Sequence, residues 1–259
     1  MATLESVVSN RAWLRRSRPF PHVAARNVFT GDFYGALDAQ LRDLLGQGLG
    51  ETPEPDRFSR SIPGYDSYGI GFGADYPGPV GLFLSAGWRN LICDLFGIKA
   101  TPYVFAGAHH HTVASANGFV HNDFNPVWFP RTDEPDRIQT PDPRRCDYKT
   151  GAGPLSDAEK IQVVRGAVVL FFAGNDGWRP GDGGETGLYA TPDDPVDAPA
   201  LRCPPINNSL VAFECTPRSF HTYLSNTRLP RTSIIMWVHR TLDEAGRTFG
   251  TEGLERWKN

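Results

Sequence analysis

Apolar residues recur at helical spacing in two places in the first part of the chain. Residues 30–46, TGDFYGALDAQLRDLLG, predict an amphipathic helix. Its apolar face consists of Phe33, Leu37, Leu41 and Leu44. Residues 79–97, PVGLFLSAGWRNLICDLFG, predict a second helix, and the Gly-, Pro- and Ser-rich residues 47–78 predict irregular structure between the two. We therefore expect residues 1–99 to form a helical N-terminal support.

From about residue 100 the pattern changes to short β-rich runs separated by turn residues. These runs are TPYVFAGAHHHTV, GFVHNDF, GAVVLFFAG, GGETGLYAT, NSLVAFEC, FHTYLS and TSIIMWVHR. Strands this short and this numerous pack most economically as an antiparallel sandwich or barrel, with the two helices covering one outer face. We predict a mainly β fold with flanking α-helices. It is expected to be a single domain, 1–259, with its core in residues 100–240.

One long segment lacks any apolar periodicity. Residues 130–158, PRTDEPDRIQTPDPRRCDYKTGAGPLSDA, are dense in proline and charge. A structureless loop of this length in a compact domain is usually disordered or functional. Because it follows the candidate site residues described below, we predict a lid loop, with disorder as the alternative.

Composition limits the partners and the compartment. The net charge of the 259 residues is only -3 and the two signs are mixed along the chain, so no charge pattern indicates nucleic acid or an anionic membrane. The predicted partner is a small molecule. No signal peptide and no apolar run of membrane-spanning length is evident, and the four cysteines have neither zinc-site nor disulfide-framework spacing. These features favour a cytoplasmic protein with reduced thiols.

The first candidate for chemistry is the segment GFVHNDFNPVWF, residues 118–129. Side chains alternate across a strand, so His121 and Asp123 are expected on one face, where both could hold a metal ion. Such a pair is weak support by itself, since one is expected by chance in about half of chains like this. A solvated histidine at the end of a surface strand is the alternative.

A second segment strengthens the metal hypothesis. In SFHTYLSNTRLPRTSIIMWVHR, residues 219–240, His221 ends one apolar strand, and Arg231 and Ser233 begin the next and face one way. An inward-facing arginine in such a strand must be paired, which implies a bound carboxylate. Two histidines and one carboxylate with open coordination positions suit non-haem Fe(II).

In their order, these residues resemble the iron(II)/2-oxoglutarate-dependent oxygenases. The runs GDGGETGLY, NSLVAFE and SFH...R.S...W.H are similar to the prolyl 4-hydroxylase-like branch in particular. The resemblance implies a double-stranded β-helix, or jelly-roll, core. It also implies Fe(II) bound by His121, Asp123 and His221, and 2-oxoglutarate held by Arg231 with support from Ser233.

The same resemblance implies a reaction. The expected enzyme is a 2-oxoglutarate-dependent dioxygenase that uses dioxygen to hydroxylate or otherwise oxidise an unactivated C–H bond. Halogenating members of the family carry a small residue in place of the carboxylate, so Asp123 favours hydroxylation or a related oxidation such as desaturation. That branch often has a tyrosine directed toward the co-substrate on the strand before the HxD pair. Here that strand is HHHTVASANG, and Thr112 or a histidine is the candidate replacement.

The substrate is the least determined part of the hypothesis. An amino acid or a natural-product intermediate is favoured, because no groove-forming module accompanies the domain. A peptidyl, prolyl-type substrate is the alternative, as are a jelly-roll metal enzyme that does not use 2-oxoglutarate and a non-catalytic binding module. Candidates for the substrate pocket are His109, His111, Asn125 and Trp128. For the two histidines, packing or solvent exposure is the competing interpretation, and for Trp128 it is packing in the core.

Overall fold

The structure is a computed structural model that describes residues 3–54, 56–60, 64–250 and 254. In this described part, the helices are α1 (Leu4–Val7), α2 (Gly31–Gly46), a 3₁₀ helix (Pro79–Leu84), α3 (Ala86–Phe96) and α4 (Leu242–Phe249). None of them combines the length and the apolar character that crossing a bilayer requires. The four cysteines are buried and free.

Thirteen strands make up most of the regular structure in the same residues. They are β1 (Leu14–Arg16), β2 (His22–Arg26), β3 (Leu49–Gly50), β4 (Phe58–Arg60), β5 (Tyr68–Gly71), β6 (Val104–His111), β7 (Pro126–Pro130), β8 (Lys160–Phe172), β9 (Thr186–Leu188), β10 (Leu201–Cys203), β11 (Ser209–Glu214), β12 (His221–Tyr223) and β13 (Arg231–Thr241). The large sheet has the order β1-β2-β11-β8-β13-β6-β5-β4-β3, and β7 also pairs with β8. The small sheet has the order β10-β9-β12. The predicted mainly β class with flanking helices is confirmed.

The central strand β8 shows how the layers form. Its run GAVVLFF is apolar at every position, as expected for a strand covered on both faces. Val169 and Phe171 pack on one side with α2 and α3, in a cluster that includes Leu37 and Trp88. Val168, Leu170 and Phe172 pack on the other side with Leu188 of the small sheet. The site described below lies between the two sheets, at one end of this inner layer.

The second predicted helix is divided in two. A 3₁₀ helix ends at Leu84, and Ser85 has an extended conformation with φ -87° and ψ 149°. The Ser85 hydroxyl then accepts a hydrogen bond from the Trp88 N–H and caps the start of α3. At the other end Gly97 takes φ +66°, a left-handed conformation that suits glycine, and it ends the helix as the sequence predicts.

Before residue 100 the structure contains strands as well as the predicted helices. The prediction of helical support and irregular structure misses β1 to β5, which extend the large sheet at both edges. These strands have two to five residues each, too few for an alternating pattern to stand out from the surrounding turns. They exist because β2 pairs with β11 and β5 pairs with β6, which are contacts that a local pattern does not contain.

The segment after β7 is packed against the core. The Asp147 carboxylate accepts hydrogen bonds from the backbone N–H groups of Lys149 and Thr150, which forms a tight turn. Next to this turn, Cys146 is buried and Tyr148 reaches the interior. The alternative of disorder for residues 130–158 is thus not what the structure has, and a lid function remains a prediction.

Candidate metal centre

The two histidines of the predicted triad face each other across a single antiparallel bridge. The His121 N–H donates to the His221 carbonyl at 3.1 Å, and the His221 N–H donates to the His121 carbonyl at 2.8 Å. This exchange places the two imidazole rings on one side with centroids 4.4 Å apart. The strand predicted around His121 is reduced to this one bridge, because the Asn122 side chain accepts from the Phe124 N–H and turns the chain.

Asp123 completes a group of three side chains. One ligand atom from each of His121, Asp123 and His221 can be chosen so that all lie within 4.8 Å of one another. Asp123 Oδ1 is 3.8 Å from His121 Nε2, and Asp123 Oδ2 is 3.6 Å from His221 Nε2. The structure therefore brings the predicted triad together.

Backbone carbonyls fix the tautomer of both rings. The Nδ1 atom of His121 is 2.9 Å from the Phe119 carbonyl, and that of His221 is 3.1 Å from the Ser219 carbonyl. A carbonyl only accepts, so each Nδ1 carries the proton and each Nε2 presents its lone pair. Both lone pairs are then available to a cation, an arrangement usual for metal-binding histidines.

The charge states also suit a cation. Burial and the neighbouring His121 lower the pKa of His221 to about 4, so this ring is neutral at pH 7. Burial alone would raise the pKa of Asp123, but Arg165 and the two histidines outweigh it and hold that pKa below its usual range. The site therefore presents one carboxylate and a neutral imidazole without first having to lose a proton.

Arg231 lies in the same inner layer without an acidic partner. It is 3% exposed, and in the described part of the chain no carboxylate comes within ion-pairing distance of it. Its guanidinium donates to the Thr186 hydroxyl at 3.2 Å and lies 5.2 Å from the Phe172 ring and 5.5 Å from the Tyr223 ring. Arg231 Nε and the Ser233 hydroxyl are buried without a hydrogen-bond partner. A buried cation next to unsatisfied polar atoms fits a carboxylate ligand such as that of 2-oxoglutarate.

The histidine tract of β6 contributes alternate residues to this pocket. His109 pairs with Ser233 and His111 pairs with Arg231 in the register of β6 and β13, so these side chains share the inner face. Burial, and then Arg231, lower the pKa of His109 to about 4. His111 stacks on Tyr223 with ring centroids 3.5 Å apart, and its Nε2 has no partner. His110 faces the other way and bonds Thr232 Oγ1 at 2.9 Å.

Two tyrosines of this pocket were not among the predicted residues. Tyr223 follows His221 by two residues, so the alternation that placed His221 also places Tyr223 on the inner face, and the sequence pattern could have identified it. Tyr65 comes from the connection between β4 and β5, and its ring lies 5.6 Å from that of His111. Burial raises the pKa of Tyr65 to about 12, while Arg231 lowers it and Asp123 raises it. Tyr65 also contacts the ring of Phe119, which neighbours His121.

Comparison with known proteins decides the family. The sequence pattern of the 2OG-Fe(II) oxygenase superfamily matches residues 145–239 of this chain. The matched residues include His221 and Arg231. This match, over just over a third of the chain, identifies the segment as part of a 2OG-Fe(II) oxygenase. As a 2-oxoglutarate-dependent dioxygenase it uses Fe(II), 2-oxoglutarate and dioxygen, so the predicted enzyme class and cofactors are confirmed. No curated protein matches the chain at a significant level.

Solved structures confirm the jelly-roll core of this oxygenase. A prolyl-4-hydroxylase from Pseudomonas putida is similar with a TM-score of 0.54 and 15% identity, over 85% of this chain and 92% of that one. A prolyl hydroxylase from Trichoplax adhaerens, in complex with a peptide fragment of the hypoxia inducible factor oxygen degradation domain, has the same TM-score and identity. That match covers 88% of this chain and 86% of the other. At such low identity, the likeness concerns the fold.

Two further predicted residues, Thr112 and Trp128, contact other parts of the oxygenase. Thr112 follows the last residue of β6, and its hydroxyl lies 3.4 Å from that of Ser115. Trp128 lies on the outer face of β7, since Val127 and Phe129 occupy the inner face. The turn at Gly151 covers its ring so closely that a Cβ there would lie 2.7 Å from it. The predicted co-substrate role of Thr112 and the predicted substrate role of Trp128 stay predictions.

Asn125 remains close to the triad. It is 5% exposed, its N–H donates to the Asp123 carbonyl, and its carbonyl accepts from the Arg165 N–H. Its backbone thus helps to place Asp123 and Arg165. Its predicted contact with substrate stays a prediction.

Buried neutral histidines give the metal-free oxygenase a predictable sensitivity to acid. Burial lowers the pKa of His110 and of His221 to about 4 and that of His239 to about 3. The unfolded chain takes up these protons near pH 6.5, so stability present above pH 6.5 is lost as the pH falls toward 4. We expect a clearly lower urea midpoint at pH 5 than at pH 7.5 in the presence of a chelator, with about 1 to 3 kcal/mol lost per group over the whole window.

The variant His110→Gln provides the control for this effect. Glutamine can still reach Thr232 but does not titrate, so the difference between the two midpoints should shrink by the share of one histidine. Equal midpoints at pH 5 and pH 7.5 in the unsubstituted protein would contradict the assignment of these rings as neutral.

Proposed function

We propose that His121, Asp123 and His221 hold the Fe(II) of this oxygenase and that Arg231 and Ser233 bind the distal carboxylate of 2-oxoglutarate. The observation that carries the proposal is the convergence of three ligand side chains beside a buried, unpaired guanidinium. When bound, Fe(II) and 2-oxoglutarate supply the chemistry, in which dioxygen is consumed, a C–H bond is oxidised, and succinate and carbon dioxide are released. The protein's own residues orient the reactants and keep water from the reacting centre.

For the substrate, we propose a peptidyl residue, with proline as the first candidate. The two solved structures compared above are prolyl hydroxylases, and one of them is in complex with a peptide. This favours the alternative from the sequence over a free small molecule. The family membership likewise favours this enzyme class over a jelly-roll metal enzyme that does not use 2-oxoglutarate and over a non-catalytic module.

An exposed apolar rim next to the triad supports a large substrate. Phe119 and Val113 are 57% and 49% exposed, and the Phe119 ring lies 5.1 Å from that of His121. An exposed phenyl ring beside a predicted metal ligand gains nothing from folding, and such apolar surface marks binding sites. We infer that this rim contacts a substrate that extends beyond the pocket.

Hydrogen bonds hold the segment that carries the rim. The Gly118 N–H donates to the Tyr223 carbonyl at 2.9 Å, and the Ser115 N–H donates to the Asn226 side chain at 3.0 Å. Asp66 accepts from the Ala116 N–H at 3.0 Å. The rim is therefore preformed, which lowers the entropy lost when a substrate binds.

A substrate panel tests the proposed function. The protein is loaded anaerobically with Fe(II) and 2-oxoglutarate, exposed to dioxygen, and offered short acetylated peptides with one central proline or free amino acids including proline. We expect a peptide to stimulate succinate release and to gain the mass of one oxygen atom. Stimulation by free amino acids alone would instead support the small-molecule substrate that the sequence favoured.

Phe119→Ala connects that turnover to the rim. The variant loses an aromatic contact that the bound peptide would bury. The KM for the best peptide should therefore rise about tenfold to a hundredfold, with kcat for that peptide little changed. Leu14→Ala is the matched control, because Leu14 is similarly exposed at 61% but lies on the edge strand β1. An equal KM in both variants would remove Phe119 from the substrate surface.

A further inference from the structure

We propose that Arg165 is a positioning residue for the metal centre, which fixes the Asp123 carboxylate in the orientation that faces both histidines. This inference rests on the proposed function, because it takes Asp123 to be a metal ligand. It concerns a side chain with no place in the predicted triad or co-substrate pocket.

The contacts divide the Asp123 carboxylate into two halves. Arg165 Nη1 donates to Oδ1 at 2.5 Å, and Trp237 Nε1 donates to Oδ2 at 2.8 Å. A carboxylate offers about four lone-pair positions, so each oxygen keeps one for a partner on its other side. Oδ1 is the oxygen near His121, and Oδ2 is the oxygen near His221. With one inner donor on each oxygen, the carboxylate cannot rotate without breaking a charged hydrogen bond.

Arg165 is itself held by a series of contacts between buried groups. Its guanidinium lies 4.0 Å from the Trp237 ring, and its Nε donates to the Tyr148 hydroxyl at 3.3 Å. Tyr148 in turn lies 2.9 Å from His239 Nε2, and His239 Nδ1 lies 2.9 Å from the Tyr103 carbonyl. Since the Tyr103 carbonyl only accepts, His239 donates a hydrogen bond from Nδ1. Its Nε2 therefore accepts a hydrogen bond from the Tyr148 hydroxyl. This series of contacts connects Tyr148, in the segment between β7 and β8, through the inner layer to Asp123.

A bulge in β8 gives Arg165 this orientation. Val238 pairs with Ala167, but the next residue His239 pairs with Arg165, so Gly166 is an extra residue in β8. Regular alternation from Ala167, which faces the helices, would place Arg165 on the helix side as well. The bulge reverses this and directs the guanidinium inward. Bulges often redirect a side chain beside an active site.

The competing interpretation is an ordinary buried ion pair that only stabilises the fold. The chain contains a matched example in Arg240, which is 2% exposed and pairs with Glu214 at 2.6 Å, outside the triad. Loss of Arg165 should disturb metal binding, whereas loss of Arg240 should not. Comparing the two arginines therefore separates positioning from general stability.

Co(II) is the probe, since its affinity and its visible spectrum report on the ligands without turnover. We expect Arg165→Met to bind Co(II) about 10- to 100-fold more weakly than the unsubstituted protein and to change the spectrum. Loss of a side chain that hydrogen-bonds to a metal ligand typically weakens metal binding by this amount. Arg165→Lys should recover part of the affinity, since an ammonium group can still pair with Asp123. Arg240→Met should leave affinity and spectrum unchanged.

Four results would overturn the proposal or its basis. Wild-type affinity and spectrum in folded Arg165→Met, or an equal loss in Arg240→Met, would refute the positioning role. If Arg165→Met does not fold, Tyr148→Phe removes only one hydroxyl and should still weaken Co(II) binding to a smaller extent, and an unchanged affinity and spectrum there would also refute it. An unsubstituted protein that binds no Co(II) would instead refute the metal centre of the proposed function.

Discussion

Asp123→Ala is expected to abolish succinate formation and also to destabilise the metal-free protein. The first effect follows if the carboxylate is one of three metal ligands. The second follows from Arg165, which is 4% exposed and would lose its ion pair with Asp123. Removing one member of a buried ion pair typically costs about 3 to 5 kcal/mol, because the remaining charge stays buried without compensation. Urea unfolding in the presence of a chelator and a succinate assay measure the two effects separately.

The double variant Asp123→Ala with Arg165→Met separates the two causes. It removes both charges, so the free energy of unfolding should return toward that of the unsubstituted protein. Succinate formation should remain absent, because the ligand is still missing. Turnover in the stabilised double variant would count against Asp123 as a metal ligand, and equal stability of the single and double variants would count against the ion pair.

The triad was predictable because each part of it depends on short-range order. His121 and Asp123 are two residues apart, and so are Arg231 and Ser233, so alternation alone puts each pair on one face. The order of these residues along the chain then identified the family. The contact that joins the first pair to His221 is the bridge between residues 121 and 221, and the resemblance supplied that contact in advance of the structure.

The supporting residues were not predictable in the same way. Tyr65 reaches the pocket from a connection far upstream, and Tyr148 reaches the interior from a segment whose sequence indicated only a lid or disorder. Arg165 is the clearest case, because strict alternation in β8 would have placed it among the helices. A one-residue bulge is an event of strand pairing, and an unpaired sequence does not contain it.

The need for long-range strand pairing also explains why the local pattern singled out Thr112. It was considered because it follows the histidine tract, but β6 ends at His111 and the chain turns there. The residues that share a face with Arg231 and Ser233 are His111 and His109, which the register of two strands decides. Local pattern thus identified which residue types line the pocket, and long-range pairing decided which of them face it.

Replacing Arg231 with methionine is not expected to destabilise the protein, in contrast to replacing Asp123 with alanine. Both groups are buried and charged, but Arg231 has no carboxylate partner within the described residues. Methionine keeps most of the volume and removes a cation whose burial is only partly offset by Thr186 and two aromatic rings. The free energy of unfolding without 2-oxoglutarate should therefore be unchanged or higher by about 1 kcal/mol.

Binding of 2-oxoglutarate should fall sharply in that variant. Truncating one side of a buried, charge-assisted pair typically costs about two to three orders of magnitude in affinity. Calorimetry with Co(II)-loaded protein measures it without turnover. Arg228→Met is the matched control, since Arg228 lies in the connection just before β13 but is 72% exposed. Wild-type affinity in Arg231→Met would refute the proposed co-substrate site. A large loss of stability would instead show that Arg231 has an anionic partner in the free protein, because only a paired charge stabilises the fold that contains it.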